Sequence, residues 1–318
     1  WKLCVYNGPF CMSELVEDNK MVWTKNPHYW DADNTHLETI NWYIVTEDST
    51  ASTMFDNGEL DQLQPTGDYT VKYASAAEAG ELQRRETDYP GCIGLTFNFA
   101  GNDPSGLMGN AKIRKAISYC IDREEIIEAI YGRYKPAYGY VNPAITFEGE
   151  SYRAQVGEII YDEYLEYNNN PEKLQALFQE GLDELGVTTP ISDITLSFLA
   201  VSNASNTAEY EYMQQTIQNK LGLTFSLDTV GDSAMFRSRR DEGSFDIMTS
   251  GWYSDYNDPM DFLYTMYTDS YGAMMGHYSN PKVDELLDSL TGETDRAKRL
   301  ATYKEVEEII LLEDAALV

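Results

Sequence analysis

Long hydrophobic runs are missing from this sequence. No stretch of 18 apolar residues occurs in its 318 positions, so no segment reads as a membrane span. Histidine is scarce, with only His28, His36 and His277. His28 and His36 have no third His and no Cys beside them, so a solvated loop is expected there rather than a metal pair. Cysteine is limited to Cys4, Cys11, Cys92 and Cys120, and no C-x-x-C pair occurs. A zinc knuckle or a dithiol redox motif is therefore not expected. Cys120 falls on an apolar helix face and reads as a small core residue. A disulfide among Cys4, Cys11 and Cys92 stays open for an exported protein. G-x-x-x-x-G-K-S/T, G-x-G-x-x-G after a strand, H-E-x-x-H and G-x-S-x-G are all absent, so no P-loop, dinucleotide, zincin or nucleophile-elbow chemistry is indicated. Positive charge is also short: 23 basic against 53 acidic residues give a net charge of −30. Such a surface repels phosphate backbones and argues against a nucleic-acid partner. The acidity is spread along the chain and reads as solubility.

What is abundant is tyrosine, with 24 residues among 13% aromatics. Tyr combines an apolar face with a polar tip, which suits ligand clefts and plain interfaces equally. The length suits two lobes, each able to bury a core. The sequence opens on Trp1 in mid-pattern and stops at Val318 directly after a helical stretch, without a signal peptide, and is expected to be a piece of a longer protein.

Residues 1–35 read as short extended pieces with turns. Thr39 to Val45 alternates at strand period. A helix over Thr50 to Asn57 is expected, capped by Asp48 or Ser49 and stopped at Gly58. Ile93 to Phe99 reads as a strand. Asn110 then caps a helix carrying Ile113, Ala116, Ile117 and Cys120, and Asp122 starts another. Helix Pro171–Leu185, strand Ile194–Ala200, helix Thr207–Leu221, strand Leu223–Asp228, helix Ser233–Asp241 and strand Phe245–Gly251 follow. This alternation argues for a doubly wound parallel sheet. Helices from Pro281 to Leu290 and from Asp295 to about Leu312 close the chain. A Gly/Pro/Asn cluster suggests a lobe boundary near residue 100.

The stretch Ser244 to Pro259 is the candidate site. Its strand ends at Gly251, and open α/β sheets bind ligands beyond the carboxyl ends of their strands. Trp252, Tyr253 and Tyr256 offer apolar area with polar tips, and Ser254 and Thr249 adjoin them. Asp258 before Pro259 fits a helix cap. Asp255 is then the charge without a structural duty, and a carboxylate among aromatics suits a cationic amine. Asn203 and His277 are further candidate cleft residues. Arg237, Arg239 and Arg240 read either as a carboxylate receiver or, more commonly, as an exposed salt-bridged helix face. An Asp255/Asp258 pair also raises a glycosidase reading, but no further acid–base partner accompanies it.

Several segments together resemble a known family, the extracytoplasmic solute-binding proteins of oligopeptide and dipeptide ABC transporters. They are Lys25 to Asp31, Asp48 to Ala51 with Gly58 to Asp61, Lys112 to Ser118 with Ile121 to Arg123, Phe245 to Ile247, Gly251-Trp252, Asp255-Tyr256, Asp258-Pro259 and Tyr278 to Pro281. The resemblance implies an α/β, bilobal, periplasmic-binding-protein-like (type II) fold with doubly wound mixed sheets, hinged for Venus-flytrap closure. Residues 1–100 would be the remnant of an incomplete first lobe. Residues 101–318 would be the second α/β lobe with return helices. Relative to the family, the start of the first lobe and the final return strand are missing. It further implies a monomer without cofactor, metal or catalysis, periplasmic or lipid-anchored, that hands short peptides to a membrane permease. Asp255 matches the residue that meets the peptide amino terminus, with Trp252 beside it. Where some members carry a carboxylate-binding Arg, this sequence has Thr249. Oligosaccharide is the alternative ligand.

Overall fold

A computed structural model describes residues 2–86, 89–131, 134–202, 206–268 and 270–318. Two units are present, Trp1–Arg85 and Glu86–Val318.

The first unit is an antiparallel sheet of β1 (Phe10–Val16), β2 (Lys20–Lys25) and β3 (Thr39–Tyr43), in that order. Residues 1–35 therefore hold a hairpin, where only extended pieces were expected. Helices α1 (Asp48–Asp56) and α2 (Asp68–Glu78) follow. Gly58 ends α1 as expected, at φ +74°, with its N–H donating to the Phe55 carbonyl. The expected side-chain cap does not form. Asp48 is itself the first helical residue, and its carboxylate accepts the Thr66 hydroxyl instead. Helix α2 was not foreseen, because its Tyr-, Thr- and Ser-rich sequence carries little apolar periodicity. It is tied to α1 by the buried Ser52–Tyr73 hydroxyl pair at 2.7 Å. Among the described residues, Tyr73 is the one apolar side chain of this unit that is buried.

The second unit begins with β4 (Gly91–Phe97), α3 (Ala111–Cys120) and α4 (Arg123–Ile126). A two-stranded ribbon, β5 (Thr146–Phe147) with β6 (Glu150–Ser151), leads into α5 (Tyr152–Val156), α6 (Tyr161–Tyr167) and α7 (Pro171–Glu184). Then come β7 (Thr195–Val201), α8 (Thr207–Leu221), β8 (Thr224–Val230), α9 (Ser233–Asp241) and β9 (Ile247–Tyr253). Helices α10 (Pro259–Leu263), α11 (Pro281–Asp288) and α12 (Arg296–Glu308) complete it. Asn110, Asp122, Asn170 and Asp295 cap α3, α4, α7 and α12, each accepting backbone N–H groups. Each such cap stabilises by about 1 kcal/mol.

The central sheet has the order β4-β9-β7-β8. β7 is parallel to both β8 and β9, as the alternation predicts, while β4 runs antiparallel to β9. The sheet is mixed for that reason. β4 belongs to this sheet and lies within the unit that starts at Glu86. Leu317 forms an antiparallel bridge with Thr96, and Leu95 exchanges both backbone hydrogen bonds with Val318. One core packs Phe97, Phe198, Phe225 and Ile247 with residues of α3, α7 and α8. A smaller one joins Leu199, Val230, Phe245 and Met248, with Phe236 of α9 against it. Fully burying a side chain of this size contributes about 1.5–3 kcal/mol. The described helices include none long and apolar enough to cross a membrane.

Candidate functional site

The chain leaves β7 through α8 to reach β8, then returns through α9 past β7 to β9. Connections that depart in opposite directions leave a crevice at the carboxyl ends of the two neighbouring strands, here β7 and β9. Buried Asp246 fixes where β9 starts. Its carboxylate accepts the Ser197 N–H and hydroxyl, at 2.6 and 2.8 Å, and the Ser105 N–H at 2.9 Å. β7 and β9 pair only at Phe198–Ile247 and Leu199–Met248, and then part. A concavity of about 260 Å³ lies where they part. Val201, Phe236 and Ile93 line it, with Thr249, Ser250, Gly251 and Tyr253 from β9.

The β4 ladder determines which backbone groups look into this crevice. Leu95 directs its N–H and C=O to Val318 and thus away from β9. The Leu95–Thr249 pair is then a non-hydrogen-bonded pair, and Thr249 and Gly251 point their peptide groups away from β4, toward β7. Among the described residues no strand pairs with β9 on that side beyond Met248.

Trp252 and Tyr253 are neighbours in sequence and project to opposite faces of β9, since side chains alternate along a strand. The expectation that both wall one pocket is therefore corrected. The Tyr253 ring lies across Gly91 and meets Tyr89 edge-on at 5.1 Å. Trp252 instead donates its indole N–H to Asp261 at 2.9 Å and meets the Tyr271 ring at 4.7 Å. The same Asp261 oxygen accepts the Asp255 backbone N–H at 3.0 Å. Asp261 is buried in α10, so one carboxylate holds both the indole and the turn that carries Asp255. Asp255 itself is exposed. Burial pushes the Tyr271 phenol pKa up, and the Asp255 and Asp261 charges push it further. Tyr256 is raised in the same way, by burial first and then by Asp261, Asp258, Tyr271 and Asp255. Asp255, Trp252, Tyr256 and Tyr271 thus form one group, a carboxylate edged by aromatic rings. Charge and ring faces together are the chemistry that suits a cationic amine.

The remaining candidates fall outside this group or serve structure. Asp258 caps α10 through the Met260 N–H and also accepts the Tyr303 hydroxyl at 2.9 Å, while Arg299 lies 3.3 Å from its other oxygen. The capping reading of Asp258 agrees with this, and the glycosidase reading loses a free second carboxylate. Ser254 donates to the Tyr256 carbonyl and stabilises the turn. Thr249 faces the crevice. His277 is exposed, in left-handed backbone at φ +61°. Asn203 lies outside the described residues. Arg239 and Arg240 pair with Asp228 and Asp241, so the salt-bridged-face reading describes them. His28 and His36 are exposed. All four cysteines are thiols.

Sequence reasoning missed Asp261 and Tyr271. Asp261 sits between Met260 and Phe262 in a short helix, where an acid normally faces solvent. Its burial becomes evident only once Trp252 is placed. Tyr271 closes an aromatic-rich run from Tyr264, and that enrichment was the available signal. Val201, Phe236 and Ile93 come from three different elements, and no local pattern joins them.

The family model of bacterial extracellular solute-binding proteins, family 5 (middle region), matches residues 2–273. The dipeptide-binding protein DppE of Bacillus subtilis is 27% identical over 315 residues, covering 97% of this chain and 53% of that protein. The oligopeptide-binding protein OppA of the same organism is 26% identical over 313 residues, covering 96% and 54%. Among solved structures, Listeria monocytogenes OppA bound to peptide is similar with a TM-score of 0.75 at 28% identity, covering 98% of this chain and 58% of that one. The substrate-binding domain of an oligopeptide ABC transporter from Bacillus anthracis gives a TM-score of 0.77 at 26% identity, with the same coverage. The chain spans about half the length of the curated relatives it matches.

Proposed function

The chain belongs to the bacterial extracellular solute-binding proteins of family 5, and from that premise we propose that it captures short peptides outside the cytoplasm for delivery to the permease of an ABC importer. Asp255 receives the peptide ammonium, and Trp252, Tyr256 and Tyr271 surround it. Crevice-facing peptide groups such as those of Gly251 meet the ligand backbone. The protein acts as a monomer, in the periplasm or lipid-anchored at the cell surface. The observation that carries this reading is the double grip of buried Asp261 on the Trp252 indole and the Asp255 backbone, which holds an exposed carboxylate beside aromatic rings.

A charge-assisted hydrogen bond contributes about 1.5–3 kcal/mol, which corresponds to roughly tenfold or more in affinity. In calorimetry on the natural full-length protein, Asp255→Asn is expected to weaken peptide binding by that factor. Acetylating the peptide amino terminus should weaken binding to the unaltered protein similarly. Affinity unchanged by both would sink the assignment. An oligosaccharide ligand is the second reading, supported by the partly exposed, stacked Tyr264–Tyr267 pair at 5.2 Å. A thermal-shift screen of peptides against cello- and xylo-oligosaccharides separates the two, since the true ligand raises the melting temperature.

A further inference from the structure

Asp261 grips the turn after β9 at one end, through the Asp255 N–H. Asp258 fixes the other end as the α10 cap and as acceptor of the Tyr303 hydroxyl. Between them stands Asn257. Its Oδ1 accepts the Thr146 N–H at 2.7 Å, and its Nδ2 donates to the Thr146 Oγ1 at 2.8 Å. One amide carries an acceptor and a donor side by side, so a single Asn can engage the backbone and the hydroxyl of one residue together. Among the described residues, Asn257 is the one side chain of 254–257 that hydrogen-bonds outside the turn. The Ser254 hydroxyl bonds within it, to the Tyr256 carbonyl.

Thr146 makes a firm partner because its segment is anchored in the interior. It opens β5 of the two-stranded ribbon. Phe147 beside it is buried and meets the Tyr303 ring edge-on at 5.7 Å. Upstream, the Asn142 Nδ2 donates to the Gly91 carbonyl at 2.6 Å, at the start of β4. Further up, Glu307, fully buried in α12, accepts the Tyr140 and Val141 N–H groups at 2.7 and 3.0 Å. Arg153 pairs with Glu307 and supplies its countercharge. Moving this segment would leave a buried charge short of its partners, which is costly. α12 therefore backs both sides of the Asn257 contact. Tyr303 holds Asp258, and Glu307, four residues on and on the same helix face, holds the segment that leads to Thr146.

We propose that Asn257 is a positioning residue for ligand recognition: it ties the Asp255 turn to the anchored 140–147 segment, so that the Asp255 carboxylate stands in place before the ligand ammonium arrives. The inference rests on the peptide-capture reading and adds a residue that acts through Asp255 and not on the ligand itself. An exposed ion pair gains little when its side chains must first be ordered. Both bonds to Thr146 are themselves exposed. Breaking them gives two groups back to water and leaves the fold nearly as stable. The loss falls on binding, because the ligand must then order the turn.

The test is a double-mutant cycle, read by calorimetry on the natural full-length protein with a tetra-alanine peptide. Asn257→Ala should weaken binding by roughly three- to tenfold, with the melting temperature nearly unchanged. In an Asp255→Asn background the same substitution should change affinity by less than about twofold, since the contact it positions is already gone. Thr146→Val removes the hydroxyl and keeps the N–H, and should fall between the unaltered protein and Asn257→Ala. Equal weakening by Asn257→Ala in both backgrounds would mean a general loosening of the site and would refute the positioning role. So would a large fall in melting temperature, which exposed bonds replaceable by water do not allow. If Asn257→Ala leaves affinity unchanged while Asp255→Asn weakens it, the positioning role is refuted and peptide capture stands. If Asp255→Asn has no effect, or tetra-alanine does not bind, the ammonium assignment falls and this inference falls with it.

Discussion

Asp261 shows how one residue can matter through what it holds. It is 5% exposed and has two donors on one oxygen, the Trp252 indole and the Asp255 N–H. Removing it takes the acceptor from two part-buried donors, and a hydrogen bond contributes about 0.5–1.5 kcal/mol net. Asp261→Ala is therefore expected to lower unfolding free energy by about that amount in urea titration, and also to weaken peptide binding because the Asp255 turn loosens. Trp252→Phe removes one donor and leaves Asp261 with the other. It should cost less stability than Asp261→Ala, and an equal or greater loss would contradict the assigned roles. The site was legible in sequence to the extent that exposed, locally clustered residues announce themselves. Trp252 at the end of β9 and Asp255 in the turn after it lie in one aromatic-rich stretch. Asp261 was not legible, because an acid in a helix reads as solvent-facing until a half-buried indole is found beside it.

At the element scale, the contact between α3 and α7 turns on Gly181. In an exposed helix interior, Gly→Ala stabilises by about 1 kcal/mol. Here a Cβ on Gly181 would stand 2.6 Å from Ile113 Cγ1 and 2.7 Å from Asn110 Oδ1. That same Asn110 oxygen caps α3 through the Lys112 and Ile113 N–H groups. Overpacking costs about 1–3 kcal/mol and disturbs the cap, so the balance is expected to be negative. Gly181→Ala should lower the urea midpoint; a raised midpoint would show that the helices can separate freely. The elements themselves were largely readable. α8 and α9 match their expected spans at both ends, Thr207–Leu221 and Ser233–Asp241, where Gly222 stops α8 in left-handed backbone and Asp232 caps α9. α2 was not readable, since Tyr73 and Lys72 alone tie it to α1, through Ser52, Asp56 and the Phe55 ring, and no apolar stripe runs along it. The membership of β4 was hidden for a different reason. Strand pairing is set by distant residues, and nothing within Gly91–Phe97 says that its neighbour is β9.

For the whole molecule, the tyrosine excess has a consequence in alkali. Burial pushes Tyr164 and Tyr210 up to about 12 and the Cys120 thiol to the same region, and it raises Tyr119, Tyr140, Tyr152 and Tyr303 further. These groups are neutral when protonated, and the folded state holds their protons more tightly than the unfolded chain does. Unfolded thiols and phenols begin to ionise near 9 and 10. Above that range the unfolded state binds fewer protons than the native state, so stability falls as pH rises. It is fully present below about pH 9 and is lost progressively toward pH 12. The chain starts from a net charge of −30, and each phenolate formed adds to the same repulsion. The melting temperature should thus hold steady from neutral pH to about 9 and drop steeply beyond. Tyrosinate absorbance should rise in two stages, exposed phenols first and buried ones together with loss of the near-ultraviolet circular dichroism. A single smooth titration without unfolding would show that the buried phenols do not couple to the fold.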